Sequence, residues 1–85
     1  MAHTPDNLTE FVFVTVAELT QSNREEVNSK DRLREDLGLD SLQSMELLSR
    51  VSEEFEIDPE MDEVMSLATV GEIVSALTGY LEAAS

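Results

Sequence analysis

Ser41 stands directly after Gly38-Leu39-Asp40 and directly before a run of helical periodicity. The first turn of a helix presents backbone N–H groups without intrahelical acceptors, together with a partial positive charge. Both favour a phosphate carried on a serine at that place. Gly38 allows a sharp turn, including one at positive φ. Asp40 can cap the helix and hold the serine at its edge. The same local physics also suits a serine that does no more than begin a helix, so phosphate attachment and a plain structural role both stay open on this ground alone.

Other chemistry is restricted by what the chain lacks. There is no cysteine, and His3 is the single histidine, in an N-terminal tail (residues 1–4) expected to be mobile. A Ser-His-Asp or Cys-His nucleophile system is therefore hard to build. Carboxylates could in principle catalyse, but a chain of 85 residues offers little concave surface for a substrate. The expectation is a protein that is not an enzyme. Asp58, Glu60 and Asp62 alternate like the start of a calcium loop. Glu63, however, stands where that loop needs glycine, and Thr69 where it needs a bidentate glutamate, so no metal site is expected.

Charge narrows the partners. Nineteen acidic residues against five basic ones give a formal net charge of −14. Nucleic acid and anionic membrane surfaces should repel such a chain, and basic protein surfaces should attract it. High net charge also favours disorder, but 41% hydrophobic residues in periodic order argue for a folded core. No apolar run approaches the roughly 20 residues of a membrane span. The start MAHTPDN lacks the basic stretch and apolar core of a secretory signal. With no cysteine, this reads as a cytoplasmic protein.

The elements that must position Ser41 follow from caps and periodicity. Residues 1–85 are expected to form one domain, all-α, a four-helix bundle with a long first loop and a short third helix. Thr4-Pro5-Asp6 looks like a cap followed by proline at the first helical position, and Asn7-x-x-Glu10 offers a second start. Leu8, Phe11, Val12, Val16 and Leu19 then follow helical spacing. The run Phe11-Val12-Phe13-Val14-Thr15-Val16 conflicts with this, because its residue types prefer strands. Length and caps favour helix. Residues 20–40 read as a loop, with Leu33 and Leu37 as apolar anchors and Lys30, Arg32 and Arg34 as three of the five basic residues. Asp40-x-x-Gln43 resembles a capping box for a second helix running to Phe55 or Glu56. Asp58-Pro59 marks the start of a short third helix through Met65. Thr69-x-x-Glu72 is a capping box for the fourth, whose stripe is Val70, Ile73, Val74, Leu77 and Leu81.

The second helix carries two apolar sectors. Leu47, Leu48, Val51 and Phe55 form a core stripe. Leu42, Met45 and Ser49 fall on a different sector, shared or flanked by Glu46, Glu53 and Glu56. One account is a docking surface, an apolar patch ringed by carboxylates that steers a basic partner. The other is that Leu42 and Met45 cap the end of the bundle, since single exposed apolar residues are common.

Asp36-Leu37-Gly38-Leu39-Asp40-Ser41-Leu42, followed by Met45-Glu46-Leu47 and Glu53-Glu54-Phe55, strongly resembles acyl carrier proteins. The order and spacing of the helices match over nearly the whole chain, and Thr69-Val70 continues the match. The resemblance implies a covalent 4'-phosphopantetheine on Ser41, from coenzyme A, with Asp40 and Leu42 flanking the attachment. It implies a terminal thiol that holds acyl groups as thioesters, which a chain without cysteine cannot supply itself. The implied partners are a phosphopantetheinyl transferase and an acyltransferase, ketosynthase or other synthase enzyme. They would dock on the second helix at Leu42, Met45, Glu46, Ser49 and Glu53, with the chain itself a monomer.

Several residues depart from the familiar bacterial fatty-acid pattern. Leu39 stands where small residues are common, Ser44, Ser49 and Ser52 make the second helix serine-rich, and Ile57-Asp58-Pro59 shifts an apolar position. These departures favour a polyketide or specialised fatty-acid synthase. A peptidyl, aryl or D-alanyl carrier shares the fold, serine and arm, and differs in cargo. An acidic helical interaction module without a prosthetic group is the further alternative.

Overall fold

The structure, a computed structural model, describes residues 3–84. Four α-helices follow one another: α1 (Pro5–Thr20), α2 (Ser41–Phe55), α3 (Met61–Met65) and α4 (Val70–Ala84). A single 3-10 turn, Arg24–Glu26, interrupts the long first connection. No strand is present among the described residues, only an isolated antiparallel bridge between Arg32 and Thr69.

Thr4 caps α1, its Oγ1 accepting from the amide of Asn7 at 3.2 Å, with Pro5 at the first helical position. Of residues 1–4, expected as a tail, residues 1 and 2 lie outside the described residues. Thr4 serves as the cap, and the ring of His3 lies 5.3 Å from that of Phe55. The strand-like run 11–16 is helical because α1 packs against both α2 and α4. Leu8, Val12, Phe13, Val16 and Ala17 are all buried, a wider apolar face than one stripe needs. β-branched residues lose little by being helical when burial on two sides supplies about 1.5–3 kcal/mol for each large side chain. Thr15 is buried among them, and its hydroxyl donates to the carbonyl of Phe11 at 2.7 Å.

Both α1 and α2 end on left-handed residues that are not glycine, Gln21 (φ 56°) and Glu56 (φ 53°). Their following amides turn back onto the helices, Ser22 to the carbonyl of Ala17 at 2.9 Å and Ile57 to that of Ser52 at 3.1 Å. The third helix starts later than Asp58-Pro59 suggests. Its N-cap is Glu60 and its first residue Met61. Pro59 is buried, and the amide of Glu60 donates to the hydroxyl of Tyr80 in α4 at 3.2 Å. These two ties keep residues 58–60 out of the helix, with Glu60 itself extended. The capping box of α4 forms as expected. The Glu72 amide donates to Thr69 Oγ1 at 3.2 Å, and the Thr69 amide donates to Glu72 Oε1 at 3.2 Å.

The loop from 20 to 40 is ordered by packing. Val27, Leu33 and Leu39 are buried in the common core, and Leu37 is half-buried against it. Its backbone pairs with the α3–α4 connection: Leu33 N–H to Ala68 O at 3.0 Å, Val70 N–H to Asp31 O at 3.0 Å, and Gly71 N–H to Ser29 O at 2.8 Å. Arg24 ties the 3-10 turn to α1. Its Nε and Nη2 each donate to the Glu10 carboxylate at 2.9 Å, and its guanidinium lies 4.3 Å from the centre of the Phe13 ring. No helix among the described residues is long and apolar enough to cross a membrane.

Candidate functional site

The approach to α2 is set by a turn and a cap. Gly38 adopts φ 70°, the left-handed conformation that glycine reaches without steric cost. Leu39 then enters the core, 2% exposed, and its amide donates back to the carbonyl of Leu33 at 2.8 Å. Leu39 thus pins the turn from below while Asp40 caps from above. Asp40 Oδ1 accepts from the amide of Gln43 at 2.8 Å, and Gln43 Oε1 accepts from the amide of Asp40 at 3.3 Å. Ser41 is left as the first residue of α2, exposed to solvent.

Ser41 Oγ accepts a hydrogen bond from Nη2 of Arg34 at 3.1 Å. Arg34 and Ser41 both line a cleft of about 380 Å³ that runs between the loop, α2 and the α3–α4 connection, with Ser44, Met65, Ser66 and Leu67 among its walls. The donors at this place suit a phosphate: a guanidinium within reach, and the free amides of a helix start. The Asp40 carboxylate, the nearest negative group in sequence, is turned to the Gln43 amide. A phosphopantetheine phosphate therefore fits at Ser41, with room for the arm in the adjoining cleft.

The other site residues named from the sequence lie together on the outer face of α2. At about 100° per residue, Leu42, Met45, Glu46, Ser49 and Glu53 share a sector roughly 100° wide. All five are exposed, and Leu42 and Met45, at 74% and 49%, are two of the three exposed large hydrophobic residues among those described. Leu47, Leu48, Val51 and Phe55 are buried on the opposite side. Leu42 and Met45 thus do not close the end of the bundle; they face solvent. Arg50 borders the sector, donating to Glu46 Oε1 and Glu18 Oε2, each at 3.2 Å. Glu56 at the helix end lies 4.0 Å from His3 Nδ1.

Sequence reasoning did not find Arg34 or the cleft residues on α3 and its connection. Arg34 reaches Ser41 across seven positions and the left-handed turn at Gly38; seven is a helical spacing, but residues 34–40 are not helical, so the spacing itself gives no signal. Its one available signal was a basic residue close before an otherwise acidic segment.

The phosphopantetheine attachment site family matches residues 10–77, most of the chain. Proteins named acyl carrier protein are similar over more than two thirds of the chain. The one from Wolinella succinogenes is 41% identical over 59 residues, 69% of this chain and 78% of its own length. Exiguobacterium sibiricum has one 38% identical over 60 residues, 71% of this chain and 76% of that protein. A Rickettsia bellii protein is 30% identical over 70 residues, 82% and 81% of the two chains. The match spans the turn, the cap, α2 and the start of α4, the elements that build the site around Ser41. The chain belongs to the acyl carrier protein family, non-catalytic carriers of a covalent 4'-phosphopantetheine.

Proposed function

We propose that Ser41 carries the 4'-phosphopantetheine arm, with Asp40 holding the helix start and Leu42 flanking the attachment. The observation that carries this is the exposed Ser41 hydroxyl at the first turn of α2, within hydrogen-bond reach of Arg34. The arm supplies the thiol that holds acyl groups as thioesters. The chain's own residues do the rest: Gly38 and Leu39 fix the turn, Asp40 fixes the cap, and Ser41 Oγ is presented to the modifying enzyme.

Partner enzymes dock on Leu42, Met45, Glu46, Ser49 and Glu53. Two apolar side chains supply contact area there, and the carboxylates steer basic surfaces toward it. The partners are a phosphopantetheinyl transferase and the acyltransferase, ketosynthase or other enzyme of a synthase. The serines at 44, 49 and 52 support a polyketide or specialised fatty-acid pathway. Leu39 carries less of that pathway argument than its sequence setting suggests, because its bulk fills the core.

Intact mass after incubation with coenzyme A and a broad-specificity phosphopantetheinyl transferase tests the assignment. One pantetheine addition is expected, absent in Ser41→Ala. No addition to folded wild-type protein overturns it. Charging of the holo protein by an amino-acid-activating enzyme, and not by an acyltransferase, overturns the pathway.

A further inference from the structure

We propose that Arg34 is a positioning residue for the arm, gripping the phosphodiester on Ser41 and setting the root of the arm over the adjoining cleft. This rests on Ser41 as the attachment residue. The chain has four arginines among nineteen carboxylates. Three of them pair with carboxylates, Arg24 with Glu10, Arg32 with Glu35, and Arg50 with Glu18 and Glu46. Arg34 forms no such pair among the described residues and instead donates to a neutral hydroxyl, Ser41 Oγ at 3.1 Å. The carboxylates nearest it in sequence are engaged elsewhere. Glu35 holds Arg32, Asp36 accepts from the Arg32 amide at 2.8 Å, Asp31 accepts from the Asn28 amide at 2.9 Å, and Asp40 accepts from the Gln43 amide at 2.8 Å.

A hydroxyl is a poor acceptor for a guanidinium compared with a phosphate, whose oxygens match its fork. Replacing the hydroxyl hydrogen by a phosphodiester places one negative charge, shared by the two non-bridging phosphate oxygens, beside the Oγ that Arg34 already faces. The contact therefore strengthens on modification, when a carboxylate pair made by the same side chain would have to break first. The grip is an attraction between opposite charges at an exposed site, so it is sensitive to salt. Arg34 also lines the cleft beside Ser41, so the anchored phosphate starts the arm at its mouth.

The test uses apo and holo wild-type protein and the Arg34→Gln and Arg34→Lys variants. Intact mass first establishes one addition at Ser41 in each holo sample. Arginine side-chain resonances and the 31P resonance are then recorded at about 0.05 and 1 M salt, where the screening length falls to about 3 Å at the higher value. The expected result is a shift of the Arg34 Nε–Hε resonance from apo to holo, with those of Arg24, Arg32 and Arg50 unmoved. The 31P resonance should differ between wild type and Arg34→Gln, return part of the way in Arg34→Lys, and lose most of the difference at high salt. An added mass with an unmoved Arg34 resonance and identical 31P spectra overturns the grip and leaves the carrier assignment standing. No added mass at Ser41 overturns both.

Discussion

The amide of Gly71 donates to the carbonyl of Ser29 at 2.8 Å, and a Cβ placed on Gly71 would stand 3.0 Å from that same oxygen. The loop before the site is thereby laid onto the start of α4 at van der Waals limit. Ser29 cannot retreat cheaply, because Asp31 and Leu33 are bonded to Val70 and Ala68 on the same strap. Gly71→Ala should cost about 1 kcal/mol, the strain of the contact exceeding the gain in helix propensity. Gly79 is the control. It lies exposed within α4 with nothing within 4 Å of its Cβ position. Gly79→Ala should gain about 0.5–1 kcal/mol. Urea midpoints moving in opposite directions, with equal slopes, are the expected readout. A stabilised Gly71→Ala would show that the loop yields.

Leu39 and Leu42 differ in fate though they are three positions apart. One is 2% exposed and the other 74%. Leu39→Ala should cost about 2–5 kcal/mol, the range for emptying a buried leucine site. It should also loosen the turn that presents Ser41. Leu42→Ala should change stability by less than about 0.5 kcal/mol, as surface substitutions do. Its loss should appear instead in association with the transferase. Equal stability losses in the two variants would contradict the two-faced reading of α2.

How far the chain could be read in advance follows the same division between local and distant causes. Caps written within four residues were legible: Thr4, Asp40-x-x-Gln43 and Thr69-x-x-Glu72 all cap as expected. Asn23-x-x-Glu26 has the same form and opens the 3-10 turn, yet no periodic run follows it to mark a helix. The late start of α3 depends on Tyr80, twenty positions away. The strap of residues 29–33 against 68–71 is likewise a long-range pairing with no local period. The place of Ser41 at a helix start, and of Leu42, Met45, Glu46, Ser49 and Glu53 on one exposed face, was legible because a cap marks the one and helical period the other. Arg34 was not, because a turn brings it to Ser41.

Glu10 should give the fold a measurable acid dependence. The hydrogen bond from Arg24 holds its carboxyl below the usual carboxylate range, against an opposing effect of desolvation and with the attraction of the Arg24 charge. The same pair raises Arg24 above its usual value. A depressed carboxylate contributes stability above its unfolded pKa and loses it as pH falls through the folded pKa. The stability difference between wild type and Glu10→Gln should therefore be present at neutral pH and vanish in acid. It should also shrink with salt, since both partners face solvent. Thermal unfolding across pH in both proteins is the check. A difference that persists unchanged at the acid end would assign the effect to packing of Arg24 on Phe13.

Arg50 should restrain association with basic partners. It is the one basic residue of α2 and divides its guanidinium between Glu46 and Glu18, each at 3.2 Å. It thereby offsets part of the negative field where Glu46 borders Leu42 and Met45. Arg50→Gln adds one net negative charge beside the sector and frees both carboxylates. Association with a basic transferase should become a few-fold faster at low salt, because steering acts on the encounter rate. Glu53→Lys, on the same sector, should slow it. Both differences should converge toward wild type at high salt, while stability changes by no more than about 1 kcal/mol, the range for exposed pairs. Stopped-flow association across ionic strength separates the cases. If Arg50→Gln matches wild type at low salt while Glu53→Lys is slowed, the steering field is centred nearer the helix end than Glu46. If neither variant changes the rate, partners do not approach by this face.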